Sequence, residues 1–266
     1  MFSTAYRRFV TAVDRGSLPG GLQKQFWRIW YQALALSWRS GAWTFMNYGW
    51  LPNDDVEPFS LEQEDEADRC FIGLYYLLAT QLDLRGKHVL EVGSGRGGGV
   101  SYISRYHAPS EVIGIDYSAA AVRLATRLHA GMPSLQFRQG DAEKLPFPDS
   151  SFDAVINVES SHCYANMSVF VNEVERVLRP GGRFGWVDVR GRGMLSATNE
   201  AFGQSGLRLL ASADITENVT RALDAMHARK IALIASFPIF RTLARQFSAT
   251  RGSMLYDALK EGRACY

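Results

Sequence analysis

The sequence predicts a doubly wound α/β domain on a mostly parallel sheet, and three observations carry the prediction. From Lys87 onward, five short apolar runs rich in β-branched residues recur, the pattern of buried strands. Stretches of helical spacing separate them, and strands alternating with helices build parallel sheets with right-handed crossovers. The chain has 266 residues, 47% hydrophobic and 21% charged, which allows a substantial core and excludes a disordered chain.

The elements follow in order. Five of the six tryptophans, Trp27, Trp30, Trp38, Trp43 and Trp50, lie in the first 50 residues, with Phe26, Tyr31, Phe45 and Tyr48 among them. Pro19, Gly20 and Gly21 set off a shorter piece before this aromatic segment, which reads as a helical cap. The acidic stretch DDVEPFSLEQEDEADR follows, then a helical pattern from Ala67 to Leu82. HVLEVG is the first strand and stops at glycines. EVIGID, LQFRQGD, FDAVINVES and RFGWVDV are the next four. AAAVRLATRLHAG follows Ser118, a good N-cap, and ends at Gly131. MSVFVNEVERVLRPGG places Val169, Val171, Val174, Val177 and Leu178 near helical spacing and stops at Pro180-Gly181-Gly182. Met194 to Leu243 reads as a helical lid before a sixth strand at RQFSAT, and LYDALKEG as a last helix. RACY reads as a closing strand cut short. The expected division is a cap and acceptor-pocket segment at 1–66, a cofactor-binding core at 67–190, a lid at 191–243 and the end of the sheet at 244–266.

Composition narrows the function. Twenty-nine basic against 27 acidic side chains leave a net charge of +2, no electrostatic case for nucleic acid. Cys70, Cys163 and Cys265 are odd in number and widely spaced, so reduced thiols in a cytoplasmic protein are expected rather than disulfides or zinc. Ile231 to Phe240 is too short to span a bilayer, and the N-terminus lacks the apolar run of a secretory signal.

HVLEVGSGRGGG carries the strongest chemical signal. Gly93, Gly95 and Gly97 allow a sharp turn and close approach of a ligand to backbone, and the next helix offers its N–H groups. The acidic Glu91 just before the loop favours a ligand bearing an amino group over a dinucleotide. Asp116 closes the second strand, where a carboxylate accepts hydrogen bonds from ribose hydroxyls. Asp141 and Glu143, after the third strand, can read an adenine amino group. Ser94, Tyr117, Ala142 and Asn157 complete the expected cofactor set.

These motifs resemble the class I S-adenosylmethionine-dependent methyltransferases, which are Rossmann-like: E-x-G-x-G-x-G, an acid after strand two, GDAEKLPFPDSSFD, and a helix ending VLRPGG. FMNYGW, EVGSGRGGG, NVESSHCY and EVERVLRPGG are similar to the mycobacterial phthiotriol and phenolphthiotriol dimycocerosate methyltransferases and related fatty-acid O-methyltransferases. The resemblance implies S-adenosylmethionine as cofactor, S-adenosylhomocysteine as product, and methyl transfer to an oxygen of a lipid or polyketide-like acceptor.

Methyl transfer is an in-line displacement, so the enzyme aligns the acceptor and, for a hydroxyl, removes its proton. His162, beyond the fourth strand, is the expected general base, and Glu159 its orienting partner or a cofactor ligand. Cys163 reads as packing. Tyr48, Trp43, Trp50, Tyr164 and Asp188 are the expected acceptor pocket, and aromatic walls suit a lipid-like substrate. Arg221, Arg229, Lys230, Arg241 and Arg245 read as a solvated helix face, with contact to a membrane surface or an acidic carrier as the minor alternative. No metal is expected, and the oligomeric state is open. The rival readings are carbon methylation of a sterol- or quinone-like ring, a non-methylating protein that retains the cofactor, and, more distantly, a nicotinamide oxidoreductase.

Overall fold

The computed structural model describes residues 43–235 and 241–266 except 55 and 58, with only the backbone of 241–243, and the separate positions 21, 25, 27, 29 and 32. Phe26, Trp30, Tyr31, Trp38 and the Arg241 side chain lie outside the described residues.

Five strands, β1 (His88–Val92), β2 (Glu111–Asp116), β3 (Leu135–Gln139), β4 (Phe152–Val158) and β5 (Leu178–Val187), form one sheet in the order β3-β2-β1-β4-β5. Every pair is parallel. The period of two sorts the strand residues onto two cores. Val89, Val112, Ala154 and Ile156 share one face with Ile72 and Leu74 of α1 (Arg69–Leu82) and with Val100 and Ile103 of α2 (Gly98–Tyr106). Leu90, Val92, Ile113, Ile115 and Val155 share the other with Phe170, Val171, Val174 and Val177 of α4 (Met167–Val177). Before it, α3 (Ala119–Leu128) starts where the Ser118 hydroxyl accepts the Ala121 N–H at 3.2 Å. Asn166 caps α4 in the same way, accepting from Val169.

The chain winds outward from β1 to β3, then crosses back to β4 and β5. The order therefore reverses between β1 and β4, and the strand C-termini there leave a crevice for a ligand.

Beyond β5 the structure departs from the expectation. The segment around RQFSAT forms α8 (Arg241–Phe247) and a turn, not a sixth strand. Ser248 N–H bonds Ala244 O, and the Thr250 hydroxyl bonds Arg245 O, so local helical bonds satisfy this backbone. The helix α4 ends at Val177, sooner than the glycines suggest, because Pro180 disfavours helical geometry just before it. β5 begins at once, with a register shift and Gly181 at φ +79°. α5 (Leu195–Gly203), α6 (Thr216–Ala225) and α7 (His227–Ala235) precede α8, and α9 (Met254–Lys260) follows it. β6 (Arg190–Gly191) then pairs antiparallel with β7 (Ala264–Cys265). Lys230 does not belong to a solvated face: its ammonium donates to Ser248 O and lies 5.7 Å from the rings of Tyr48 and Phe71, and burial lowers its pKa to about 8. Among the described residues no helix is long and apolar enough to cross a membrane.

Candidate active site

A cleft opens where β1 and β4 part. After Val92 the chain turns through Gly93, Gly95 and Gly97, each with positive φ. Gly93 is obligatory, because a Cβ there would lie 2.2 Å from Ser160 Oγ. Asp116, at the tip of β2, clamps this loop: its carboxylate accepts the Gly95 N–H at 2.9 Å and the Ser118 N–H at 2.8 Å. Burial raises the Asp116 pKa, and the two N–H groups counter that rise. Tyr117, Ser118, Asp141, Ala142 and Glu143 continue the same wall. Asp141 Oδ1 accepts the Glu143 N–H at 3.0 Å and so fixes its own turn.

The opposite wall is the end of β4. Glu159 has φ +44°, an uncommon value for a residue with a side chain. Its two carboxylate oxygens share the Tyr48 N–H, each at 3.0 Å. Burial pushes its pKa up to about 8. A short turn, Ser161–Cys163, then carries His162. His162 Nδ1 lies 2.7 Å from Asp188 Oδ1, beyond β5, and the His162 N–H donates to Asp188 Oδ2 at 2.9 Å. Ser161 and Arg190 also hold Asp188, from 2.6 and 3.1 Å. Burial alone would raise the Asp188 pKa, but His162 and Arg190 keep it well below the usual carboxylate range. Burial disfavours a charged imidazole too, yet Cys163 and Asp188 beside it lift the His162 pKa well above its ordinary value.

The segment Thr44–Asn47 lies across the cleft against the glycine loop, where a Cβ on Gly98 would meet Thr44 O at 2.9 Å. Trp27 lines the cleft and stands edge-on to the His162 ring, with centroids 6.2 Å apart.

Of the residues expected from sequence, Gly93, Ser94, Gly95, Asp116, Tyr117, Asp141, Ala142, Glu143, Glu159 and Tyr164 line the cleft together. Others stand behind it. Glu91 is fully buried on the α1 face, where it accepts the Tyr75 hydroxyl at 2.8 Å; Tyr75 is the residue that reaches the cleft. Asn157 lies beneath the loop, donating to Val92 O, Ser160 Oγ and Tyr164 Oη. Gly97 packs on Phe137. His162 and Asp188 form their pair beside cleft-lining Glu159 and Cys163. Tyr48 donates its hydroxyl to Phe247 O. Trp43 stacks on Arg96, and Trp50 sits in the core with its backbone against Gly73. Sequence reasoning missed Arg96, Ser160, Tyr75 and Thr44–Asn47 as lining residues, and it assigned Cys163, which also lines the cleft, to packing.

A glycine loop, a carboxylate clamp and a 3-2-1-4-5 sheet with its cleft at the reversal point define the class I methyltransferase architecture. The methyltransferase domain family matches residues 90–185. The phthiotriol/phenolphthiotriol dimycocerosates methyltransferase of Mycobacterium tuberculosis is 38% identical over 245 residues, 91% of this chain and 90% of that one. The fatty-acid O-methyltransferase of Mycolicibacterium smegmatis is 43% identical over 180 residues, 68% of this chain and 65% of that one. Among solved structures, the [4+2]-cyclase SpnF shares the fold, with a TM-score of 0.69 and 21% identity over 91% of this chain and 93% of that one. The chain belongs to the S-adenosylmethionine-dependent methyltransferases, in the family of the phthiotriol/phenolphthiotriol dimycocerosates methyltransferases.

The residues present fit that cofactor. Asp116 keeps lone pairs for a ribose after its two backbone bonds. The cleft holds the four carboxyl groups of Asp116, Asp141, Glu143 and Glu159 for a ligand with an ammonium and a sulfonium. Two buried donors of Arg96 lack acceptors.

Proposed function

We propose that this methyltransferase acts on an oxygen, hydroxyl or carboxyl, of a hydrophobic lipid or polyketide-like molecule, with His162 as general base. The 2.7 Å contact between His162 Nδ1 and Asp188 Oδ1 carries this reading. It fixes the orientation of the imidazole and stabilises its protonated form, as general-base catalysis needs. Bound S-adenosylmethionine supplies a methyl on a sulfonium, so the protein's own task is to hold it at Gly95, Asp116, Asp141 and Glu143 and to deprotonate the acceptor. The relatives, a phthiotriol/phenolphthiotriol dimycocerosates methyltransferase and a fatty-acid O-methyltransferase, support a lipid acceptor. So do the apolar walls that Trp27, Phe45, Met46 and Tyr164 give the cleft.

One observation favours a second base. Glu159 itself lines the cleft, and its pKa of about 8 suits proton exchange near neutrality. Rates with a labelled methyl donor and a fatty-acid or phthiotriol-like acceptor, measured against pH, separate the two. The wild-type rate is expected to climb through a pKa above 6.5. His162→Ala should lower kcat by about 10²–10⁴-fold and lose that limb. If Glu159→Gln loses the limb while His162→Ala keeps it, the base is Glu159. Mass spectrometry that finds the methyl on carbon would sink the oxygen acceptor.

A further inference from the structure

The Asp188 side chain is 0% exposed, and its two oxygens are divided. Oδ1 takes the His162 imidazole at 2.7 Å and the Val189 N–H at 2.8 Å. Oδ2 takes the Arg190 guanidinium at 3.1 Å, the Ser161 hydroxyl at 2.6 Å and the His162 N–H at 2.9 Å. Arg190 is itself 3% exposed, and each of its three nitrogens has a protein acceptor. Nη2 donates to Ser161 Oγ at 2.7 Å, Nη1 to Val189 O at 2.9 Å and Nε to Thr198 Oγ1 of α5 at 3.3 Å. Its guanidinium carbon lies 5.1 Å from the centre of the Trp186 ring, and Trp186 donates to the same Ser161 hydroxyl at 2.9 Å.

A general base must be neutral before it acts. A buried carboxylate whose only cationic partner is an imidazole works against that. When the ring sheds its proton, the carboxylate is left as an unpaired buried charge, so the pair holds the proton. A guanidinium keeps its charge across the working pH range. It therefore compensates Asp188 whichever state His162 is in, and it stands as a second cation near any imidazolium. The other titratable groups around the ring are Cys163 and Glu159 at the end of β4, Tyr164 after them, and Tyr266, which faces Glu159 and Asp188. Lys230 acts on Glu159. Among the described residues, Arg190 is the one permanent cation in contact with Asp188. We propose that Arg190 is a positioning residue of the reaction: it keeps Asp188 ionised in its own right, so that His162 is held in place without being locked in its protonated form. Ser161, the hydroxyl the two share, sets their spacing. The inference rests on the reading of His162 as general base.

The test follows the C2–H proton resonance that His162→Ala removes, titrated without substrate, beside kcat against pH. Arg190→Gln is expected to move the His162 midpoint up by about one unit or more, because the imidazolium becomes the sole cation at Asp188. Its kcat at pH 7 should fall about tenfold for each unit and recover as pH is raised past the new midpoint. Binding of S-adenosylhomocysteine within about twofold of wild type shows that the variant is folded. Arg190→Lys, which keeps the charge without the fork, should leave the midpoint within about half a unit. Ser161→Ala, which keeps both charges and loosens their contact, should raise the midpoint by a smaller step, and it carries the same test if Arg190→Gln does not fold. A midpoint that stays or drops in the folded variant, or a loss of kcat of the same size at every pH, would make Arg190 structural support only and overturn the inference. The two readings fail separately: a His162→Ala chain that keeps the rate and its acid limb removes the base, whereas the midpoint decides Arg190.

Discussion

Asp116 divides its carboxylate between the protein and the cleft. One lone pair on each oxygen is spent on Gly95 and Ser118, which aims what remains outward. Asp116→Ala should therefore weaken S-adenosylhomocysteine by about 1–3 kcal/mol in calorimetry. Asp116→Asn should do little better, because its amide turns a donor toward one of two backbone donors. Unchanged affinity in a folded variant would remove Asp116 from the site. The place of Asp116 on the cleft wall was legible in the sequence, since a residue closing the second strand stands at the strand C-termini. Glu91 was legible in type and misread in direction. Counting parity from Val89 puts it on the α1 face, which is where Tyr75 meets it. Arg96 stands among glycines in the sequence, but its packing partner Trp43 lies 53 positions earlier in the chain.

At the scale of elements, residues 43–50 serve two masters. Thr44–Asn47 line the cleft, while Phe45 and Trp50 are part of the core. Of the described tryptophans before residue 51, Trp27 lines the cleft, Trp43 packs on Arg96 and Trp50 lies in the core, so they do not form one wall, and removing the first 50 residues would damage the core as well as the cleft. Trp50→Ala is expected to cost about 3–5 kcal/mol of stability in urea unfolding, as large-to-small core changes do. Trp50→Phe should cost much less, because the indole N–H is already buried without an acceptor. A loss below 1 kcal/mol in the alanine variant, on the order of a surface change, would take Trp50 out of the core. The strands and the core helices were readable because their apolar periods are clean. RQFSAT was not, because six mixed residues carry no period and a helix end satisfies them locally.

The whole molecule carries its buried acids as a pH dependence. Glu91 and Glu159 are each pushed up to about 8 by burial, against 4.5 in the reference state. The folded chain therefore holds protons that the unfolded chain releases, and stability falls as pH rises through that interval. His162 acts with the same sign: its raised pKa gives stability that is complete below 6.5 and lost as pH passes the folded value. Asp188 has the opposite sign, but its lowered pKa matters only in strong acid; Lys230, lowered to about 8, and the buried His107 and His129, also lowered, oppose the decline in their own intervals without matching two carboxyls and His162. Tm measured by calorimetry should decline between about pH 5 and pH 9, and Glu91→Gln should flatten the decline. A Tm that rises across this window would contradict the buried acids. None of this was legible in a net charge of +2, because desolvation, not composition, sets these values.

The edge-on meeting of Trp27 and His162 gives the chain a built-in optical gauge. An excited indole loses its energy to a protonated imidazole far more readily than to a neutral one. The emission of Trp27, isolated as the difference between the wild-type chain and Trp27→Phe because the sequence holds six tryptophans, is thus expected to brighten when the ring beside it gives up its proton, and to change again if the two rings part. The proton state of the proposed base and the position of the residue above it are written into the same light, readable without substrate and without a label.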